Sequence, residues 1–239
     1  AAQRIAFGKA LNAGQTCVAP DYVYVPAAKK DAFVNAAKKI LAQRYPQLDN
    51  GQFTTVIDDS SYARLVATMK DAQDKGATLV NLAPGFEPNE ETRLLPPHLV
   101  LDAPDDATIM QEEIFGPLFP VRTYTDIGQV LGYINDRDRP LGLYLFSNDK
   151  QLQDRVIKNT ISGGVSINDC SFHVAQHDIP FGGVGASGMG HYHGHEGFIE
   201  FSKMRPIFSQ FRYSALPMMY PPYGKVFKTL YSLMIKLKL

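Results

Sequence analysis

The chain has 239 residues, 45% of them hydrophobic and 20% charged, and its 24 basic and 24 acidic side chains leave no formal net charge. That is the composition of a globular chain long enough for one large domain or two small ones, and the charge balance speaks against a nucleic-acid binder, which carries a basic excess. Two cysteines far apart give neither a disulfide framework nor a C-x-x-C pair, in keeping with a reducing, cytoplasmic compartment; there is no N-terminal signal pattern and no run of apolar residues long enough for a membrane span.

Gln3 to about Leu11 reads as a helix that delivers the chain, through the small and turn-prone Asn12, Ala13 and Gly14, to Cys17. The apolar, β-branched and aromatic run Tyr22 to Val25 then reads as a strand. Ala28 to Arg44 is helical by pattern, with Phe33, Ala36, Ala37, Ile40 and Leu41 on one face. Thr55-Val56-Ile57 is a short strand candidate. Asp59 or Ser60 can cap a helix that runs to Lys75 and stops at Gly76. Thr78 to Leu82 is a strand, the acidic, turn-rich stretch Pro84 to Glu91 a loop, and Leu94 to Leu101 contains a strand broken by Pro96-Pro97.

Pro117 to Tyr124 is a further strand, and Thr125 or Asp126 caps a helix to about Asn135. The uninterrupted apolar run Leu141 to Phe146 suits a strand buried on both faces. Asp149 to Asn159 is a helix, and Val165 to Asn168 the next strand. Strands that alternate with helices predict an α/β fold of three layers, a mostly parallel sheet with helices on both faces. Ligands of such sheets bind at the carboxyl ends of the strands. Phe201 to Phe211 is strand-like. Pro217 to Leu239 ends in a basic amphipathic helix, with Phe227, Leu230, Tyr231 and Met234 set among Lys225, Lys228, Lys236 and Lys238. It is expected to pack on a partner subunit in preference to a membrane surface.

Three segments carry chemistry. An isolated cysteine is usually a small buried hydrophobe. A thiol in a tight loop beside glycine, as in Gly14-Gln15-Thr16-Cys17, can instead meet a substrate while backbone N–H groups stabilise a thiolate and the oxyanion formed by its attack on a carbonyl. Glu112-Glu113-Ile114-Phe115-Gly116-Pro117 sets two acids before a Gly-Pro turn, and in an extended chain one of them faces a site and the other solvent. Pro180 to Gly190 contains Gly183-x-Gly185-x-x-Gly188. No apolar strand precedes it and no apolar helix follows, so it is not a dinucleotide fingerprint but a backbone that must pass close to something. His191, His193 and His195 alternate, yet no Cys or Asp joins them, and no metal site is expected.

In this order the three segments resemble the aldehyde dehydrogenase superfamily. Gly-Gln-Thr-Cys followed by Pro-Asp-Tyr-Val is similar to its nucleophile segment. Glu113-x-Phe115-Gly116-Pro117 is similar to its Glu-x-Phe-Gly-Pro motif, and Pro180-Phe181-Gly182-Gly183 with Ser187-Gly188-Met189-Gly190 to its glycine-rich segment. Gly-Gly-Val-Gly, with Gly190-His191-Tyr192-His193-Gly194, resembles the branch that includes fatty aldehyde and coniferyl aldehyde dehydrogenases. The resemblance implies Cys17 as the catalytic nucleophile, Glu113 as a ligand of the nicotinamide ribose and Phe115 beside the nicotinamide, with NAD or NADP as cofactor. It implies that Phe181, Phe172 and His173 shape the substrate site, while Cys170 reads as structural. The implied reaction is oxidation of an aldehyde to the carboxylic acid through a cysteine thiohemiacetal and thioester.

Only the family's C-terminal half is matched. The resemblance implies a catalytic domain over 1–200, an oligomerisation strand of a homodimer over 201–212 and a tail with the amphipathic helix over 213–239. The N-terminal dinucleotide-binding domain, the glutamate base and the oxyanion asparagine are expected upstream of Ala1. On the residues alone two other readings stay open: a nucleotide-independent thiol esterase or acyltransferase using Cys17, and a non-catalytic interaction module.

Overall fold

Successive strand residues point to opposite faces of a sheet, and here both faces are apolar. In a computed structural model that describes residues 1–238, the first of two units, Ala1–Phe201, is built on β1 (Val23–Pro26), β2 (Thr78–Asn81), β3 (His98–Leu101) and β4 (Leu118–Tyr124). The strands lie in the order β1-β4-β3-β2. β1 and β3 run parallel to β4, and β2 runs antiparallel to β3. On one face Leu99, Phe119 and Val121 pack with Ile5, Ala6 and Ala10 of α1 (Ala2–Ala10) and with Val34, Ala37 and Leu41 of α2 (Lys30–Arg44). On the other, Val100 and Leu118 pack with Tyr62, Leu65 and Ala72 of α3 (Asp59–Asp74) and with Ile109 and Met110 of α4 (Thr108–Gln111). This is the expected α/β layering, with helices on both faces of a mostly parallel sheet.

The chain continues through α5 (Ile127–Asn135), β5 (Gly142–Leu145), α6 (Lys150–Lys158), β6 (Gly164–Ile167) and α7 (Gly194–Glu200). β5 and β6 pair in parallel as a separate two-stranded sheet. Leu131, Leu143 and Val156 form a small core beside it. The run Leu141 to Phe146 is therefore not buried on both faces: Leu143 is buried and its neighbours are half-buried, because β5 has hydrogen-bonded company on one side.

Two other expectations give way to local hydrogen bonding. α3 is capped by Asp58, one residue before the candidates, whose Oδ1 accepts from Ser61 N at 2.7 Å and from Ser60 Oγ at 3.0 Å. Thr55-Val56-Ile57 is not a strand. Val56 N donates to Arg93 O at 3.0 Å and Ile57 N to the side-chain Oε1 of Gln15 at 2.9 Å, so these donors serve a loop.

Leu65 of α3 is fully buried. A side chain added at Gly116 would meet its Cδ1 at 2.6 Å, so Leu65 also forms the support on which the Gly116-Pro117 turn rests. Leu65→Ala removes this methyl-rich contact and leaves a cavity. A loss of about 3 kcal/mol in unfolding free energy is expected from chemical denaturation.

The second unit, Ser202–Leu239, departs from expectation at its start. Phe201 to Phe211 forms no strand; the stretch is irregular, with Ile207, Phe208 and Phe211 exposed. A strand's N–H and C=O groups need a neighbouring strand, and within a single chain none pairs with it among the described residues. α8 (Lys225–Leu237) forms as expected. Phe227 stacks on Tyr231 at 5.6 Å and touches Tyr223 at 4.5 Å. None of its described residues is buried. Among the described residues no helix is long and apolar enough to cross a membrane.

Candidate active site

The chain leaves α1 through a turn that side chains must hold. Asn12 and Ala13 sit at φ 51° and 52°, a region L-residues avoid. Asn12 Nδ2 donates to Gln15 O at 2.9 Å, and Gln15 Nε2 donates to Asn12 O at 3.1 Å and to Thr55 O at 3.1 Å. Gln15 also accepts from Ile57 N. This buried amide fastens the loop on one side of Cys17. On the other side, Val18 O accepts from Tyr144 Oη at 2.6 Å and from Ser171 Oγ at 2.9 Å. Between these anchors Cys17 is exposed.

Gly14 brings a second segment to the thiol. Its φ is +74°, and a Cβ there would fall 2.9 Å from the carbonyl carbon of Gly116 and closer still to its oxygen. The cysteine loop thus lies backbone to backbone on the turn that follows Glu113. Arg64 grips the same turn, donating from Nη2 to Ile114 O at 2.9 Å and from Nη1 to Glu113 O at 3.4 Å. Asp21 Oδ2 accepts from Ile114 N at 3.4 Å.

Cys17, Asp21, Glu112, Glu113, Tyr144 and Ser187 line one cleft of about 840 Å³. Both glutamates line it, contrary to the expected split between site and solvent. The Glu113 carboxyl is pushed above its ordinary value by burial and by the Asp21 carboxylate, against the opposing charges of Arg64 and Lys9. A carboxylate there has two oxygens with which to accept hydrogen bonds from a vicinal diol. Phe115, at φ 45° and 39% exposed, is not one of the lining residues.

The three residues singled out for the substrate do not line the cleft either. Phe181 is buried, and its ring centre lies 5.6 Å from that of His173, which lies 5.9 Å from Tyr144. The Phe181–His173 pair therefore reaches the cysteine loop through the Tyr144 bond to Val18. Phe172 is half exposed and stacks at 6.1 Å on Phe7 of α1. The glycine-rich segment closes on itself: a Cβ at Gly183 would meet Gly188 N at 2.6 Å, and Phe181 and Tyr192 exchange backbone hydrogen bonds. His193 stacks edge-on with Tyr192 at 4.4 Å and with His177 at 5.5 Å.

His173 is buried, its Nδ1 3.2 Å from Ser166 Oγ and its Nε2 without a hydrogen-bond partner among the described residues. Burial holds its pKa below the ordinary 6.5. The unfolded chain therefore takes up this proton before the folded one. The stabilisation is full above 6.5 and is lost as pH falls below that value. His98, also depressed by burial, acts in the same direction. A thermal midpoint that falls from roughly pH 7 to pH 5 is expected, with a shallower fall in His173→Gln.

Sequence reasoning missed Lys9, Gln15, Asp21, Arg64, Tyr144 and Ser171. Lys9 left a signal: a charge at the buried spacing of Ile5, Ala6 and Ala10. The others act mainly through partners distant in sequence, which no local pattern announces.

The chain matches the family model described as "Aldehyde dehydrogenase family" over residues 1–207. It is 53% identical over 238 residues to a Pseudomonas aeruginosa protein named "probable coniferyl aldehyde dehydrogenase", covering 99% of this chain and 49% of that one. It is 40% identical over 238 residues to the coniferyl aldehyde dehydrogenase of a Pseudomonas species, covering 98% and 50%. Among solved structures, substrate-bound Staphylococcus aureus AldH superposes with a TM-score of 0.80 at 38% identity, covering 98% of this chain and 50% of that one. The chain spans about half the length of the curated relatives it matches.

Proposed function

Because the chain belongs to the aldehyde dehydrogenase family, we propose that its residues 1–200 are the catalytic domain of an enzyme that oxidises an aldehyde to the carboxylic acid with NAD or NADP. The observation that carries this is the contact between Gly14 and Gly116, which sets the exposed Cys17 thiol and the Glu113 carboxylate on one cleft.

In this reading Cys17 Sγ adds to the aldehyde carbon, and its own backbone N–H faces the oxyanion. Glu113 would accept hydrogen bonds from the ribose hydroxyls of a nicotinamide cofactor, and Phe115 would help hold its nicotinamide. When bound, the nicotinamide supplies the hydride acceptor. Cys17 then carries the acyl group as a thioester until water releases the acid. The glutamate that activates this water, the oxyanion asparagine and the dinucleotide-binding domain belong, in this proposal, to residues outside these 239. Phe172, His173 and Phe181 influence the substrate from outside the cleft surface, the last two through Tyr144 and its bond to Val18 in the cysteine loop. The two relatives named for coniferyl aldehyde support an aromatic aldehyde as substrate, with long-chain aldehydes second. The proposal includes a cytoplasmic homodimer in which 201–212 pairs with an oligomerisation strand. In it the helix of the 213–239 tail packs on the partner subunit and not on a membrane surface.

The isolated chain, given coniferyl aldehyde and NAD or NADP, is expected to form no reduced cofactor. Reduced cofactor and acid are expected when the upstream half of a relative is supplied, and only with Cys17 intact. Turnover by the chain alone contradicts this division of labour. No turnover in the complemented assembly, with both halves folded, contradicts the assignment.

A further inference from the structure

Lys9 occupies a position where lysine is costly. It lies on the buried face of α1 with 5% of its surface exposed, and buried ammonium groups ordinarily have close partners. Among the described residues its Nζ has no hydrogen-bond partner. Asp21 Oδ1 stands 3.8 Å away, an ion pair too long for a hydrogen bond, and the Phe119 ring centre lies at 5.8 Å. Lys9 lines a small apolar cavity of about 20 Å³ with Ile5, Phe33 and Phe119, whereas Asp21 and Glu113 line the cleft. The ammonium therefore sits behind the cleft wall. Asp21 bridges the two sides: one carboxylate oxygen faces Lys9, and the other accepts from Ile114 N, next in the chain to Glu113.

We propose that Lys9 is a positioning residue for Glu113: its buried ammonium offsets the repulsion between the Asp21 and Glu113 carboxylates and so lets both stand along one wall of the cleft. The charges that act on Glu113 are Asp21, Arg64 and Lys9, and those that act on Lys9 are Asp21 and Glu113. Burial pushes the Lys9 amine down to about 8 against both carboxylates. Burial and Asp21 push the Glu113 carboxyl up against Arg64 and Lys9. An apolar side chain of similar length would occupy the Lys9 pocket with no desolvation cost, so packing does not account for the charge. Its action on two carboxylates does. The use of Glu113 as a ribose ligand rests on the proposed function; the coupling of Lys9, Asp21 and Glu113 does not.

The test is carbon-13 NMR of the full chain labelled at the glutamate carboxyls and lysine side chains, with Glu113 assigned by Glu113→Gln. In Lys9→Met the Glu113 midpoint is expected to rise by roughly half a pH unit or more, and in Lys9→Arg to stay near its original value. An unmoved Glu113 midpoint in folded Lys9→Met overturns the proposal. The reciprocal measurement uses Glu113→Gln, a change at an exposed side chain. There the Lys9 midpoint, near 8 in the parent chain, is expected to fall. If it does not move, the proposal is overturned even where Lys9→Met fails to fold. Nicotinamide mononucleotide is then added to the parent chain and to Glu113→Gln. Equal binding by the two sinks the reading of Glu113 as a ribose ligand and leaves the coupling to Lys9 standing.

Discussion

Replacing Cys17 by Ala is expected to abolish thiohemiacetal formation with aldehydes. In any assembly where this chain supplies the nucleophile, it is expected to cut aldehyde oxidation by about ten-thousand-fold or more, the order lost when a covalent nucleophile is removed. Cys17 is the exposed thiol, on a loop fastened at Gln15 and at Val18. Cys170 is buried, and burial together with Asp169 pushes its thiol up to about 12. It stays protonated at neutral pH and cannot take over. Cys170→Ala is accordingly expected to retain adduct formation. Loss of the adduct in Cys170→Ala and its retention in Cys17→Ala would reverse the assignment.

The second large effect is expected from Gly14→Ala. Two penalties fall together. The backbone is at φ +74°, and the new methyl would meet the Gly116 carbonyl, which is main chain and cannot swing aside as a flexible side chain would. A loss of about 3 kcal/mol or more in stability is expected. Gly51 is the control. Its φ is +81°, but nothing lies within 4 Å of a Cβ built there, so Gly51→Ala is expected to cost only the strain, about 1 kcal/mol. Chemical denaturation separates the two. Equal losses would mean that the approach of the cysteine loop to the Gly116 turn is not close. Gly14→Ala is also expected to slow capture of an aldehyde by Cys17 in the fraction that stays folded, because the loop and the turn can no longer nest.

The layered α/β fold was legible because its strands and helices have local signatures. Leu99 and Val100 are adjacent apolar residues serving opposite cores, and such runs mark a strand covered on both faces. The helix read over Asp149 to Asn159 is α6, with Asp149 as its N-cap, whose side chain accepts from Gln151 N and Leu152 N. What failed were segments whose backbone partners come from elsewhere. Val56 and Ile57 look like strand residues, but their N–H groups go to Arg93 and Gln15. Phe201 to Phe211 has strand composition, but among the described residues of one chain no strand pairs with it. α4 and α7, of four and seven residues, were too short to show a period.

The site was legible in part. Cys17 and Glu113 were marked by motif, and both line the cleft. Phe115, Phe172, His173 and Phe181 were marked by the same resemblance but do not line that surface: Phe115 is exposed, Phe172 stacks on Phe7, and His173 and Phe181 are buried against each other. The Lys9–Asp21–Glu113 cluster could not be read in advance. Its members lie on a helix, a loop and a turn far apart in sequence, brought together by the Gly14–Gly116 approach, the Ile114 N–H to Asp21 bond and the Lys9–Asp21 ion pair.

The most direct measurement is carbon-13 NMR of an aromatic aldehyde, labelled at its carbonyl carbon, added to the purified chain. A tetrahedral thiohemiacetal carbon is expected to grow in proportion to the protein, to persist in Cys170→Ala and to vanish in Cys17→Ala. A parent chain that forms no such carbon, or a Cys17→Ala chain that still forms it, contradicts the assignment of Cys17 as the nucleophile.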